Sequence, residues 1–405
     1  MASIASNWRA VGIGCWLLIA GLVRGESLPE RTDLFPPETW HNHGSCILEL
    51  PDGQLLVCWF HGSGERKSDD VRIEGSRRGR RGGPWQPRFP MADTPGYPDT
   101  NPCLFLDGEQ RLWLMYPTIL ANLWESALMK VQVSRDYRRS GAPRWERQEV
   151  LHVTPGAEFG EAVSKVLPVL EKEARASGWN PKTQAEVQEY LDAFRLHSTN
   201  KLYLRLGWMT RAHPVVVEGG RLLVPLYHDG FSASLFAYSD DSGGTWKTSP
   251  PLIGGGNIQP SVVARADGAL VTYMRDNGPP PKRLMMAESA DRGATWGPVR
   301  DSQIPNPGSG ADVIRLKDGR WLFVGNDTED GRHRLGVWIS ADEGRTWPWR
   351  RALEEALPGT DSFGYPSALQ TRNGRIHVSY SVRTAAGGMI RHAEFEIGWV
   401  VGGQP

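Results

Sequence analysis

An excess of charge of either sign is missing from this sequence: 46 Lys and Arg stand against 46 Asp and Glu over 405 residues. Nucleic acids and anionic membranes are held through a basic surface, so neither is an expected partner. Cysteine is scarce, with four in the chain. Cys15 lies within an apolar N-terminal stretch, which leaves Cys46, Cys58 and Cys103. An odd count excludes a disulfide framework. Cys46 and Cys58 lie on opposite arms of one predicted hairpin and read as buried thiols, with a bridge as the alternative. None of the three has metal-ligand spacing, and His41 and His43 lack a nearby partner pair, so no metal or cofactor is expected. A long apolar run is missing too. Residues 11–23, behind Arg9, are too short for a confident membrane span and read as a secretory signal over residues 1–25, cleaved near Gly25. A retained anchor is the rival reading. The expected location is secreted or periplasmic, with no membrane contact beyond this segment and a monomeric state.

What the chain has in quantity is Trp (17), Gly (46) and Pro (30), the composition of many short strands joined by tight turns. Three segments share the pattern Ser-x-Asp-x-Gly-x-Thr-Trp, starting at Ser239, Ser289 and Ser340, at spacings of 50 and 51 residues. A repeat of that period indicates a propeller or solenoid. The Asp accepts hydrogen bonds from turn amides, the Gly takes a positive φ and the Trp packs beneath, so these boxes are structural. A second mark precedes each box, an Asp-Gly-like turn before a β run: Asp52-Gly53, Asp107-Gly108, Gly219-Gly220, Asp267-Gly268, Asp318-Gly319 and Asn373-Gly374. Such dipeptides favour type I′ hairpins. Degenerate boxes follow the first two, around Ser76 to Trp85 and Ser134 to Trp145. Six turns predict an all-β fold, a six-bladed β-propeller over residues 30–400.

The turns are 55, 112, 48, 51 and 55 residues apart, so the long interval holds an insertion. Val163, Val166, Leu167 and Leu170 follow helical spacing, with Pro168 among them expected to kink or end that helix. Asn180 reads as an N-cap with Pro181 at the first helical position, followed by an apolar stripe of Val187, Tyr190, Leu191 and Phe194. Residues 158–198 are therefore a helical insertion, expected to cover the propeller, with a lid over a site as the alternative.

At this point the chain resembles the sialidase (neuraminidase) family, six-bladed propellers with Asp boxes. That resemblance implies three arginines on a substrate carboxylate, a tyrosine nucleophile, a glutamate that activates it and an aspartate as general acid/base. Counted from the repeat landmarks, it assigns Arg275 and Arg332 to the arginine clamp and Tyr365 to the nucleophile. Asp99 resembles the aspartate that contacts a sugar hydroxyl. Asp69 or Asp70, in the run from Glu65 to Asp70, is the implied acid, with Asp70 preferred. Two positions depart from the pattern: His43 stands for the first arginine and Gln259 for the glutamate. Gln cannot accept the tyrosine proton, and losing a guanidinium weakens a carboxylate site. Arg211 and His213, at one blade's entrance, are further substrate-binding candidates, with Arg211 able to replace the missing clamp.

The implied function is release of a terminal acidic sugar from a glycan by an exo-α-sialidase type of hydrolase. Two alternatives fit the same residues. One is elimination from a uronate polysaccharide, using His43, His213, Tyr365 and the arginines as proton carriers and charge clamps. The other is a glycan-binding propeller without catalysis.

Overall fold

A computed structural model describes residues 28–402; the signal segment expected over residues 1–25 lies outside the described residues. Six antiparallel sheets follow one another along the chain and pack in a ring. Blade 1 runs from His41–Glu49 to Phe89–Ala92, blade 2 from Cys103–Leu106 to Arg147–Val150, and blade 4 from Asn257–Ala264 to Arg300–Pro305. Blade 5 runs from Asp312–Arg315 to Trp349–Glu355. In each, strand order follows chain order, with the first strand innermost.

Blades 3 and 6 depart from that pattern. The inner strand of blade 3 is broken into Trp208–Met209 and Val215–Val216, both pairing with Leu222–His228. Blade 6 takes three strands from the C-terminal end, Ser362–Gln370, Ile376–Thr384 and Gly387–Phe395, and its fourth from the N-terminal side. Glu30–Asp33 pairs antiparallel with Gly387–Phe395, Glu30 opposite Glu394. This strand completes blade 6 from the other end of the chain and so closes the ring.

The Asp boxes lie between the third and fourth strands of blades 3, 4 and 5. In the box of blade 3, Asp241 Oδ1 accepts from the Thr245 amide at 2.8 Å and Oδ2 from the Thr245 hydroxyl at 2.7 Å, while the Gly243 amide donates to Ser239 Oγ at 2.8 Å. The same bonds recur around Asp291 and Asp342. These amide and hydroxyl donors hold the Asp241 carboxyl down at about 2. Each box Trp docks on the preceding blade. Trp246 meets Trp113, Trp296 stacks on Phe236 at 4.3 Å, and Trp347 sits edge-on to Tyr273. The box Gly packs there as well: a Cβ on Gly243 would lie 2.4 Å from Trp113. The repeat thus works as an inter-blade rivet.

The hairpins differ from the expected two-residue type I′ turns. In five of the six the Asp, Asn or first Gly is the third residue of a four-residue turn, and the following Gly closes it, as in Gly53 N to Leu50 O and Gly374 N to Thr371 O. Asp52, Asp267 and Asp318 keep negative φ, so these are type I turns followed by a left-handed glycine, with the Asp oxygen accepting the amide two residues on. In blade 2 the turn is displaced: the left-handed residue is Gln110, whose amide donates to Asp107 O.

The insertion forms helices α1 (Ala157–Ala176), α2 (Pro181–His197) and α3 (Lys201–Arg205) between blades 2 and 3. Asn180 caps α2 by accepting the Thr183 amide at 3.0 Å, with Pro181 next, as the sequence predicts. Helix α1 does not end at Pro168 but runs on to Ala176. Pro168 is on the exposed face, where the carbonyl four residues back can turn to water, while Phe159, Val163 and Leu167 stay buried. Those residues join Leu191 and Phe194 of α2 with Trp208 and Phe231 in one apolar cluster shared with blades 2 and 3. Cys46, Cys58 and Cys103 are free and buried, Cys46 opposite Cys58 across the first hairpin.

Because Trp347 is buried between blades 4 and 5, Trp347→Ala should cost about 3–5 kcal/mol in urea unfolding. Trp246→Ala, at a partly open position, should cost less.

Candidate functional site

Three inner strands break register at corresponding points. The shift falls between His43 and Cys46 in blade 1, between Ile258 and Ser261 in blade 4, and between Gly364 and Ser367 in blade 6. In each bulge one residue is left-handed: Gly44 (φ 63°), Gln259 (55°) and Tyr365 (54°). Asn101 (43°) matches them just before the inner strand of blade 2. All four stand nine residues before the left-handed residue of their own hairpin, Gly53, Gly268, Gly374 and Gln110. Bulges re-aim side chains, and a left-handed Gln or Tyr costs of order 1–3 kcal/mol that the surroundings must hold.

Arg211 supplies part of that hold. It leaves the gap in the broken inner strand of blade 3 and crosses to blades 1 and 6. There Nη1 donates to Ser45 O at 3.3 Å and Nη2 to Pro366 O at 3.0 Å. Both carbonyls belong to the residue after the left-handed one. The guanidinium lies 5.0 Å from the Tyr365 ring centre and is buried. Arg211 is thus a strut under the bulges rather than an open replacement clamp.

Tyr365 is the centre of the cluster. Its hydroxyl accepts from Arg275 Nη1 at 3.0 Å, Arg332 lies 5.2 Å from its ring centre, and the His43 ring packs at 4.1 Å. Burial raises the phenol pKa, but Arg275, Arg332, a hydrogen bond from Gln259 and Arg211 outweigh it and bring the value below the usual one. Gln259 also donates to the Tyr227 hydroxyl at 3.4 Å, and Tyr227 accepts from Asn101 at 3.1 Å. His43 is held neutral, by burial first and then by His41 and the three arginines. Arg332 donates to Gly308 O at 2.8 Å and faces a cavity of about 200 Å³ shared with His41, His43, Glu65 and Gly364.

The profile of the BNR repeat-like domain family matches residues 53–172 and 178–378. The chain belongs to that family. A curated relative, the anhydrosialidase of Macrobdella decora, is 27% identical over 183 residues, 40% of this chain and 23% of that protein. The match therefore spans about a quarter of the relative's length. Among solved structures, a Dyadobacter fermentans protein of unknown function superposes at TM-score 0.67 with 18% identity, covering 93% of this chain and all of that one. A Streptococcus pneumoniae sialidase superposes at 0.64 with 12% identity, covering 89% and 69%. An intramolecular trans-sialidase from Ruminococcus gnavus gives 0.64 with 13% identity, covering 89% and 95%. The fold is that of the sialidase propellers.

Within this BNR repeat-like chain, Arg275, Arg332, Tyr365, Gln259, His43 and Arg211 come together as the sequence predicts. Other candidates do not join them. Asp99 is fully buried, its carboxylate accepting from the Thr118 hydroxyl at 2.5 Å and the Thr94 amide at 2.8 Å. The landmark misleads because the blade 2 hairpin is displaced by two residues, so Asn101 holds the register position instead. Asp70 is taken up by the Ser63 amide and hydroxyl, and Asp69 by Asn122. Both carboxylates tie loops, and the member of that run facing the cavity is Glu65. His213 lies on the axis, where it shares a 2.7 Å hydrogen bond with Ser367 Oγ and stands 3.6 Å from Asp312. Burial disfavours its imidazolium, but Cys46 and Asp312 prevail and raise its pKa to about 9. It links blades rather than facing the cavity.

Two carboxylates were missed. Glu65 has its Oε1 3.3 Å from His41 Nε2; burial raises its pKa, while His41, Arg66 and Arg332 outweigh that and keep it lowered. Asp229, in the loop between the second and third strands of blade 3, is raised to about 6 by burial against the pull of Arg275. Its counterparts in blades 1 and 5 are the loops of Glu65 and Arg332. Among the described residues no group of three or more His, Cys, Asp or Glu could hold a metal ion, and no helix is long and apolar enough to cross a membrane.

A raised folded-state pKa for Asp229 means that the native chain binds its proton more tightly than the unfolded one. Stability from this group therefore falls as pH rises from about 4 to about 6 and stays low above. Asp229→Asn should raise the unfolding free energy obtained from urea titration at pH 8 by about 3 kcal/mol and leave it unchanged near pH 3. Arg211→Met should destabilise at every pH by about 1–3 kcal/mol for each bulge carbonyl left unpaired.

Proposed function

We propose that this chain is a retaining glycoside hydrolase of the exo-α-sialidase type that releases a terminal acidic sugar from a glycan. The observation that carries the reading is the Arg275–Tyr365 contact at 3.0 Å, with Arg332 against the same ring. Two guanidiniums that can hold a carboxylate thus stand beside a phenol whose ionisation they favour. In the first step Tyr365, as its phenolate with its proton released to solvent, bonds through oxygen to the anomeric carbon, the bond to the leaving oxygen breaks, and Glu65 in its protonated form gives that oxygen its proton. In the second, the oxygen of a water bonds to the anomeric carbon, the bond from that carbon to Tyr365 breaks to return the phenolate, and the water's proton goes to the Glu65 carboxylate. An arriving carboxylate neutralises Arg332, removing part of what keeps Glu65 ionised and so readying it as an acid.

Gln259 cannot act as a base. The arginines replace one by stabilising the phenolate electrostatically, and the Gln259 amide donates to it. The curated relative's printed name, anhydrosialidase, makes an intramolecular product worth assaying beside the free acid. A second reading, elimination from a uronate chain, is favoured by one observation: His43 is held neutral in contact with Tyr365, as a proton acceptor must be. Secretion or periplasmic location and a monomeric state belong to the same proposal.

A glycan panel assayed for free acidic sugar, anhydro product and unsaturated uronate separates these readings. On the best substrate, Tyr365→Phe should lose about 10²-fold or more in rate while binding weakens far less, and Glu65→Gln should lose rate on poor leaving groups most. Full activity in Tyr365→Phe would remove the nucleophile. Gln259→Glu should lower activity, since a carboxylate beside Arg211 and Tyr365 opposes the phenolate. A rise instead would show that a base was wanting.

A further inference from the structure

A groove of about 750 Å³ runs between the helical insertion and blade 4. One wall is the end of α1, the turn to α2 and the face of α2 that carries Tyr190; the other is the glycine loop 254–256 and the proline loop 279–281. It begins at the candidate site. Asn277 lines it, accepts from Arg275 Nη2 at 3.3 Å and donates to Ser232 Oγ at 3.2 Å. A substrate whose carboxylate sits on Arg275 therefore has this groove next to it.

The chemistry of the two regions is opposite. The site is lined by guanidiniums, whereas Glu173, Glu186 and Asp301 line the groove. Its lining cation, Arg300, is engaged by Glu288 at 2.5 Å. Trp179, between α1 and α2, is half-buried in the groove wall and stacks on no other ring among the described residues. An open indole face beside hydrogen-bond acceptors suits the C–H face and hydroxyls of an uncharged sugar. A second acidic sugar would meet three carboxylates and no unengaged cation.

We propose that this groove is the subsite for the neutral saccharide that bears the acidic sugar, with Trp179 as its stacking platform. The insertion then sets specificity: an acidic sugar capping a neutral chain is taken, and a homopolymer of acidic sugars is disfavoured. This rests on the glycosidase reading above, and the test keeps the two apart.

Binding is measured by calorimetry on the full chain carrying Tyr365→Phe, so that turnover does not interfere. The probes are free sialic acid, a sialylated neutral trisaccharide and a sialic acid dimer. The trisaccharide should bind roughly tenfold tighter than the monosaccharide, the order an aromatic contact supplies, and tighter than the dimer. Adding Trp179→Ala should abolish the tenfold ratio, and Trp179→Tyr should restore most of it. Adding Glu173→Gln and Asp301→Asn should close the gap between dimer and trisaccharide. A trisaccharide that binds no tighter than the monosaccharide, or a ratio that survives Trp179→Ala, overturns the proposal. If the ratio behaves as expected but the unmutated chain releases no acidic sugar, the glycosidase reading falls and the groove stands.

Discussion

The groups at the candidate site come from five blades: His43 from the first, Arg211 from the third, Arg275 and Gln259 from the fourth, Arg332 from the fifth and Tyr365 from the sixth. They meet only if the ring is shut. The constraint on which the site depends is thus closure, made where Glu30–Asp33 hydrogen-bonds along Gly387–Phe395. Without that strand the last blade, whose inner strand carries Tyr365, would lose its outer strand and its tie to the segment that leads into blade 1. The box tryptophans act to the same end, fixing each of blades 3 to 5 to the one before.

Closure sets the frame, and the bulges set the aim. In blades 4 and 6 the first residue of the bulge is a side chain held in a conformation it disfavours, and in both the next residue is proline. At Tyr365 the strain is countered from across the axis, where Arg211 bonds the carbonyl of Pro366 together with that of Ser45 in blade 1. The same guanidinium also sits against the Tyr365 ring, so the group that holds the backbone contributes to the charge the phenol feels. Structure and electrostatics are joined there in one side chain. Substitutions at Arg211 should accordingly move stability and phenol ionisation together.

Below the site the axis is polar but inward-bonded. His213, Ser367, Asp312 and Ser261 join blades 3, 6, 5 and 4 by hydrogen bonds and a close ion pair. Histidine there stabilises the ring, as its partners are blade residues rather than an open cavity.

By itself the sequence determined the blade count, the family of fold and the helical insertion, because these rest on local chemistry repeated at a fixed period. An Asp-x-Gly-x-Thr-Trp box folds by bonds within a few residues, and Asn180-Pro181 caps a helix wherever it occurs. The same landmarks placed Arg275, Arg332, Tyr365, Gln259 and His43, since each stands at a fixed offset on a regular blade. Where a blade is irregular the count failed. The displaced hairpin of blade 2 made Asp99 look like a site residue when Asn101 holds that position, and Asp69 and Asp70 proved to tie loops while Glu65 faces the cavity. Asp229, the strut role of Arg211 and the groove at Trp179 were decided only by the tertiary structure. Each depends on residues far apart in the chain, and burial and charge exist there only once six blades surround one axis.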